Sequence, residues 1–198
     1  LAQNTNTDDV FNIVTDFRTK DKTTPVILMG YLNPIEIMGY SKFTKKASDA
    51  GVDGLIVVDL PPEESSDLQE ALKLYDIDQI FLLSPTTIDK RLKRICEAAS
   101  GFLYYVSLKG VTGSNQLDIT MVEEKINEIR TKTALPLAVG FGIKDAQVAE
   151  HVGRISDAVV IGSALVEIIA KNAKNTKEMK KRISSFISSL RKVLDNIQ

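Results

Sequence analysis

The chain has 198 residues, of which 43% are hydrophobic and 26% charged, which is enough for one globular domain with a substantial core. Its 25 basic and 26 acidic side chains give a net charge of -1, which disfavours nucleic acid or anionic lipid as a partner. The single cysteine, Cys96, excludes an internal disulfide framework and a CxxC metal site. With no apolar run long enough for a membrane span and no recognisable targeting segment, we expect a cytoplasmic protein.

The predicted elements alternate between helical and strand patterns from the start of the chain. The first is an amphipathic helix over 7–19, in which apolar residues recur at helical spacing. Short apolar runs, typical of buried parallel strands, follow at 25–29, 54–58, 79–83, 102–106, 135–139 and 158–161. Helical patterns lie between and after them, at 36–48, 63–74, 88–99, 119–132, 144–152, 165–170 and 177–197. Because no linker interrupts the series, we predict a single domain over residues 1–198.

Six successive β-α units fit either an open doubly wound sheet or part of an eight-stranded barrel. Glycines or polar side chains follow every predicted strand, as expected when all these loops share one face of a barrel. The GxGxxG motif of many open sheets is absent after the first strand. We therefore predict an α/β fold of the TIM (β/α)8 barrel type. Since a full barrel needs about 250 residues and a helix comes first here, we expect an N-terminally incomplete barrel lacking its first two strands.

Two glycine-bearing turns follow the last two predicted strands. Gly140-Phe141-Gly142 is expected to lead into a helix that opens at Lys144, and Gly162-Ser163 leads into the next helix. Backbone amides at such turns and at helix N-termini bind phosphate in many barrels. One such turn is no more than a tight connection, whereas two neighbouring ones favour a phosphate site. The loop from Lys109 to Ser114 is either a ligand cover or an ordinary flexible loop.

Acid–base residues are scarce, and Asp59 is the only carboxylate placed directly at the end of a predicted strand. Tyr31 and Tyr104 are poor bases at neutral pH, because a phenol has a pKa near 10. The other candidates have structural explanations: Glu63, Glu64 and Asp89 at helix starts, His151 at a helix end before Gly153, and Cys96 packed within a helix. Candidates for an apolar pocket are Met29, Ile56, Leu82 and Phe141.

Five segments of the chain together resemble one family. They are PVILMGYLNPI, AGVDGLIVVDLPPEES, FLYYVSLKGVTG, AVGFGI and VVIGSALV, and in this order they are similar to the tryptophan synthase alpha chain. The resemblance implies an eight-stranded barrel that cleaves indole-3-glycerol phosphate to indole and glyceraldehyde 3-phosphate. It also implies an alpha2-beta2 heterotetramer with a tryptophan synthase beta chain that carries pyridoxal phosphate. No cofactor or metal is expected in this chain itself.

The resemblance also implies roles for individual residues. Those matching the family's phosphate ligands are Gly113, Gly142, Gly162 and Ser163. Those matching the surroundings of its indole ring are Met29, Ile56, Leu82 and Phe141, with Tyr31 and Tyr104 as pocket tyrosines. Thr112 matches a threonine of the closing loop and has, with Tyr104, a supporting role. The surface turns expected to face the beta chain are Asn33-Pro34 and Pro61-Pro62.

The family's two catalytic carboxylates precede the helix with which this chain begins, so no residue here is assigned a catalytic role. We accordingly expect this polypeptide on its own to have little activity. Two alternatives remain open at this point. One is another phosphate-binding barrel enzyme of the tryptophan or histidine pathway, for which Lys109 is the nearest candidate lysine. The other is a non-catalytic partner of the beta chain.

Overall fold

The computed structural model describes residues 5–107, 119–140 and 142–197 of the chain. Two compact units make it up: Leu1–Leu82 with Lys93–Phe102, and Leu83–Leu92 with Leu103–Gln198. We call them unit 1 and unit 2. The strands within each pair in parallel and alternate with helices, so the predicted α/β class is confirmed.

Unit 1 is built on three parallel strands. Its elements are α1 at Thr7–Arg18, β1 at Ile27–Gly30, α2 at Leu32–Met38, α3 at Tyr40–Ala50, β2 at Gly54–Val57, a 3-10 turn at Pro62–Glu64, α4 at Ser66–Lys73 and β3 at Asp78–Leu83. Helix α5, Asp89–Ala98, follows and has residues in both units. The register pairs Met29 with Ile56, and Ile56 with Ile80. Because side chains alternate along a strand, these three lie on one face of the sheet.

The core of unit 1 lies on the opposite face of the sheet, beneath the helices. Leu55 and Val57 of β2 are buried there in one cluster with Phe11 of α1 and Phe43 of α3. The two phenylalanine rings are tilted against each other with their centroids 5.4 Å apart, an arrangement that contributes about 0.5–1.5 kcal/mol beyond burial. The predicted helix over 7–19 is thus confirmed, and Phe11 and Val14 of its apolar stripe are buried, whereas Ile13 and Phe17 are exposed.

Unit 2 repeats the arrangement with a second set of three parallel strands. Its elements are β4 at Leu103–Val106, α6 at Ile119–Arg130, β5 at Leu137–Gly140, α7 at Ala146–Ile155, β6 at Ala158–Val160, α8 at Ser163–Lys171 and α9 at Thr176–Leu194. Tyr104 is in register with Ala138, and Ala138 with Ala158. Leu137 and Val139 point to the other face and are fully buried. All six predicted strands are present, with bounds shifted by at most two residues.

The single helix predicted over 36–48 is instead two helices, α2 and α3. Gly39 separates them at φ +83°, a left-handed conformation that favours glycine. The chain therefore enters α2 already at Leu32, and the residues Asn33-Pro34, expected in a surface turn, lie in its first turn. Proline is tolerated there because the first amides of a helix have no intrahelical acceptor.

Gly153 does not end a helix as expected but lies inside α7, which continues to Ile155. A Cβ at Gly153 would lie 2.9 Å from Cδ1 of Ile197, so the glycine lets the C-terminal segment pack closely against α7. His151 is consequently an interior helix residue, and its Nδ1 lies 2.8 Å from the carbonyl oxygen of Gln147. No helix among the described residues is long and apolar enough to cross a membrane.

Candidate active site

The predicted apolar residues of unit 1 share one face of its sheet. Met29 and Ile56 are register partners, and Leu82 lies two residues after Ile80, the partner of Ile56. Ile56 is buried and Leu82 half-buried, whereas Met29 keeps 57% of its surface exposed. Tyr31 is exposed directly after β1, at the N-cap of α2. The structure thus brings Met29, Ile56 and Leu82 together on the face opposite the core.

In unit 2, Tyr104 lies across the sheet over Gly140. A Cβ at Gly140 would come within 2.6 Å of Cε2 of the Tyr104 ring, so only glycine leaves room for the ring. Burial raises the pKa of the Tyr104 phenol above its ordinary value of 10. The hydroxyl is therefore protonated at neutral pH, and its chemistry is hydrogen bonding rather than proton abstraction.

The end of β6 leads directly into the N-terminus of α8. Gly162 is the N-cap, and its carbonyl accepts hydrogen bonds from the amides of Leu165 at 3.0 Å and Val166 at 3.1 Å. Gly162 and Ser163 are exposed, and a Cβ at Gly162 would meet nothing within 4 Å. The first amides of a helix lack intrahelical acceptors and carry partial positive charge. This turn can therefore receive an anion, and α8 begins two residues earlier than the predicted 165.

The other glycine turn differs from expectation. The helix expected to open at Lys144 begins at Ala146, and Asp145 caps it by accepting a hydrogen bond from the amide of Val148 at 2.9 Å. A carboxylate therefore already occupies the N-terminus of α7, which makes it a poor anion site. Gly142 itself is exposed at φ +49° with open space around its Cα. Its contribution to phosphate binding stays a prediction that rests on its own amide and not on α7.

Several predicted residues lie outside the described residues. These are Phe141, Thr112, Gly113 and the alternative lysine, Lys109.

Asp59, predicted at the carboxyl-terminal end of a strand, is engaged in a backbone contact. Its Oδ1 accepts a hydrogen bond from the amide of Leu32 at 2.8 Å. Next to it, the amide of Val58 donates to the carbonyl of Gly30 at 3.0 Å. Asp59 therefore links the segments that follow β1 and β2, which makes it a structural group rather than a free general base.

Sequence reasoning missed one contact at the end of β3. The loop there is closed by the amide of Ser84, which donates to Oγ1 of Thr87 at 3.0 Å. Lys125 of α6 holds the same loop, with Nζ 2.9 Å from the carbonyl of Thr87 and 2.8 Å from the Glu128 carboxylate. Lys125 and Thr87 are 38 residues apart in the sequence, so no local pattern predicts their contact.

The residues expected to face a partner are all at least partly accessible. Asn33 and Pro34 are exposed in α2, and Pro61 and Pro62 are half-buried at the start of the 3-10 turn. Among the residues the structure describes, no group of three or more His, Cys, Asp or Glu side chains is placed to hold a metal ion.

Comparison with known proteins decides the family. The model of the family described as Tryptophan synthase alpha chain matches residues 1–195. The chain belongs to the tryptophan synthase alpha chain family. The tryptophan synthase alpha chain of Thioalkalivibrio sulfidiphilus is 55% identical over 186 residues, which cover 94% of this chain and 70% of that relative. The family resemblance read from the motifs is thereby confirmed.

Solved structures agree with this assignment. The crystal structure of the tryptophan synthase alpha chain from Legionella pneumophila superimposes with a TM-score of 0.90 at 41% identity, covering all of this chain and 72% of that one. A structure of the tryptophan synthase a2b2 complex from Pyrococcus furiosus gives a TM-score of 0.85 at 33% identity, covering 94% of this chain and 74% of that one. Tryptophan synthase alpha chains are TIM barrels and carbon–carbon lyases of tryptophan biosynthesis that cleave indole-3-glycerol phosphate.

Proposed function

We propose that this chain binds indole-3-glycerol phosphate as the alpha subunit of a tryptophan synthase, with the phosphate at the N-terminus of α8. The observation that carries the assignment is the open turn at Gly162-Ser163, where exposed backbone amides and a hydroxyl begin a helix. A phosphate receives hydrogen bonds from such amides and attraction from the helix dipole. Gly142, and Gly113 outside the described residues, are the other proposed phosphate ligands.

The indole ring is proposed to contact apolar side chains. Met29, Ile56 and Leu82 share the sheet face opposite the core of unit 1, and the exposure of Met29 leaves it free to contact a ligand. Covering a side chain of this size stabilises a complex by about 1.5–3 kcal/mol when burial is complete. Tyr31, Tyr104, Thr112 and Phe141 complete the proposed substrate contacts, with Tyr104 and Thr112 in supporting roles.

Cleavage breaks the bond between the indole ring carbon and the glycerol phosphate side chain. One proton must reach that ring carbon and another must leave the side-chain hydroxyl that becomes the aldehyde, tasks that suit positioned carboxyl groups. Asp59, the carboxylate at a strand end, is already bonded to the Leu32 amide. We therefore propose that Asp59 transfers neither of these protons.

The proposed partner is a tryptophan synthase beta chain, which would carry the pyridoxal phosphate. Support comes from the a2b2 complex of the Pyrococcus furiosus relative. The residues proposed to meet it are Asn33, Pro34, Pro61 and Pro62, and the first two are exposed on α2. An alpha2-beta2 heterotetramer is the expected assembly.

Indole release tests the proposal directly. The chain is mixed with excess beta chain and indole-3-glycerol phosphate, and indole is quantified, with the Thioalkalivibrio sulfidiphilus alpha chain as the positive control. We expect saturable substrate binding and indole release that depends on it. The absence of both saturable binding and indole release would contradict the proposed function. Activation of the beta chain without any substrate binding would favour the non-catalytic partner instead.

A further inference from the structure

Asp59 accepts a hydrogen bond from the first residue of helix α2, although it is distant from the helix in sequence. Helix α2 begins at Leu32, and its own N-cap residue, Tyr31, makes no capping hydrogen bond with its side chain. The Leu32 amide has no intrahelical acceptor because it belongs to the first turn. Oδ1 of Asp59, 27 residues further along, accepts its hydrogen bond at 2.8 Å. The N-terminus of α2 is thus capped from the segment after β2.

The same contact joins the two segments proposed to face the beta chain. Asn33 and Pro34 directly follow Leu32, while Pro61 and Pro62 lie two and three residues after Asp59. One hydrogen bond therefore connects both segments at their bases, beside the Val58–Gly30 backbone contact.

The surface of α2 is suited to contact with another protein. Ile37 keeps 79% of its surface exposed, although the neighbouring Ile35 is buried in the core of unit 1. Covering the exposed Ile37 side chain, which lies beside polar Asn33 and Glu36, would remove apolar surface from water when a partner binds α2. The direction of this side chain depends on how α2 is held, because the helix has only seven residues.

We infer that Asp59 is a positioning residue for partner binding, which holds α2 and the Pro61-Pro62 segment in the arrangement that the beta chain recognises. The inference rests on the proposed partner. A surface held in its bound conformation loses less conformational entropy on association, so breaking the link weakens binding without removing any contact to the partner.

Asp53 offers a matched control within the same unit. It is also an aspartate next to β2, and its Oδ2 accepts a hydrogen bond from the Val26 amide at 2.7 Å. This second contact lies at the opposite end of β2, because Asp53 precedes the strand and Asp59 follows it. A variant at Asp53 therefore reports the cost of losing a carboxylate–amide link that is remote from α2.

The experiment measures the Kd for a tryptophan synthase beta chain by titration calorimetry. We expect Asp59→Ala to raise Kd about tenfold, corresponding to the loss of one hydrogen bond to a charged group. We expect Asp59→Asn, which keeps an acceptor oxygen, to restore Kd to within about twofold. Asp53→Ala is expected to lower stability while leaving Kd within about twofold of wild type. Hydrogen exchange at the Leu32 amide should be faster in Asp59→Ala and not in Asp53→Ala.

The possible outcomes distinguish the role of Asp59 from the proposed binding of a beta chain. If the wild-type chain binds the beta chain and Asp59→Ala binds equally well, the inference is overturned while the proposed partner stands. An equal loss of affinity in Asp53→Ala would also overturn it, since general destabilisation would then explain both. A wild-type chain that binds no beta chain would overturn the proposed partner and the inference together.

Discussion

The amino-terminal and carboxyl-terminal edges of the strands are built on different principles. At the amino-terminal edge both units have the same arrangement around an aspartate that precedes a strand. Its carboxylate accepts a hydrogen bond from the backbone amide at the start of the neighbouring strand. It also forms an ion pair with an arginine at the end of a helix. In unit 1 these groups are Asp53, the Val26 amide at 2.7 Å and Arg18. In unit 2 they are Asp157, the Leu137 amide at 2.8 Å and Arg130.

At the carboxyl-terminal edge both units have a backbone hydrogen bond between neighbouring strand ends, from Val58 to Gly30 and from Ser107 to Gly140, but the described residues that follow the strands differ. Unit 1 places Asp59 and exposed Met29 there, whereas unit 2 places Gly142 and the open turn at Gly162-Ser163. In β/α barrels the loops at the carboxyl ends of the strands carry function and the opposite ends carry stability. The aspartate–arginine arrangement that repeats at the amino-terminal edge fits a role in stability. The different residues at the carboxyl-terminal edge fit a role in function. Substitutions at the two edges should therefore have separable effects.

The largest effect on stability is expected at the amino-terminal edge of unit 1. Arg18 has only 16% of its side chain exposed and donates to the Asp53 carboxylate and to the carbonyls of Gly51, Thr24 and Asp21. Replacing it by Met leaves these acceptors without their donor, and we expect a loss of about 2–4 kcal/mol in the free energy of unfolding.

The control for this comparison is Arg130→Met. The Arg130 side chain is 44% exposed and its partner Asp157 41% exposed, so the ion pair is solvent-screened and worth at most about 1 kcal/mol. Urea unfolding of both variants checks the prediction. Equal losses in the free energy of unfolding would show that the burial of Arg18 does not make its ion pair stronger than that of Arg130.

A smaller loss is expected at the carboxyl-terminal edge of unit 2 from Gly140→Ala. The added Cβ would lie 2.6 Å from Cε2 of Tyr104 and force the ring to move, at a cost of about 1–3 kcal/mol. Gly30→Ala is the matched control, because Gly30 also ends a strand and its Cβ would meet nothing within 4 Å. Thermal or urea unfolding should show a change of no more than about 0.5 kcal/mol for Gly30→Ala.

Ligand affinity should respond only at the carboxyl-terminal edge. Removing the hydroxyl with Ser163→Ala is expected to weaken binding of glyceraldehyde 3-phosphate about 3- to 10-fold, the equivalent of one hydrogen bond. Ser156, at the opposite end of β6, donates to the Val152 carbonyl at 2.8 Å and serves as control. Calorimetry should show unchanged affinity for Ser156→Ala. A comparable loss of affinity in that variant would contradict the assignment of ligand binding to the carboxyl-terminal edge.

The smallest effect concerns pH at the loop before β1. Hydrogen bonds from the Thr24 amide and hydroxyl, and then from Thr23, hold the pKa of Asp21 well below its ordinary 3.8. The ionised carboxylate therefore contributes stability above about pH 4, and this contribution is lost as the pH falls toward the folded-state pKa. We expect the urea midpoint to fall less between pH 5 and pH 2 in Asp21→Asn than in wild type. An identical pH dependence would contradict this role.

The strand pattern was predictable because buried parallel strands are short continuous apolar runs. Helix bounds were less so, since they depend on single residues. Gly39 breaks the predicted helix 36–48 through its positive φ, and Asp145 caps α7, which begins two residues after the expected start. Gly153 resembled a helix end, yet it is an interior position that accommodates Ile197.

Some features of the candidate site were likewise predictable from the sequence and others were not. The positions of Met29, Ile56 and Leu82 on one sheet face follow from strand periodicity and register. The engagement of Asp59 with Leu32 and of Lys125 with Thr87 depends on pairs 27 and 38 residues apart. Such contacts are set by the tertiary fold, and no local pattern in the sequence encodes them.

We propose above all that main-chain amides at the start of α8 bind a phosphate ester. An NMR titration with glyceraldehyde 3-phosphate tests it most directly, by following the amide resonances of the whole chain. The account predicts saturable shifts that are largest at Gly142, Gly162 and Ser163, with the amides of Val26 and Leu137 at the opposite edge unmoved. Saturable shifts centred anywhere else, or no saturable shifts at all, would contradict it.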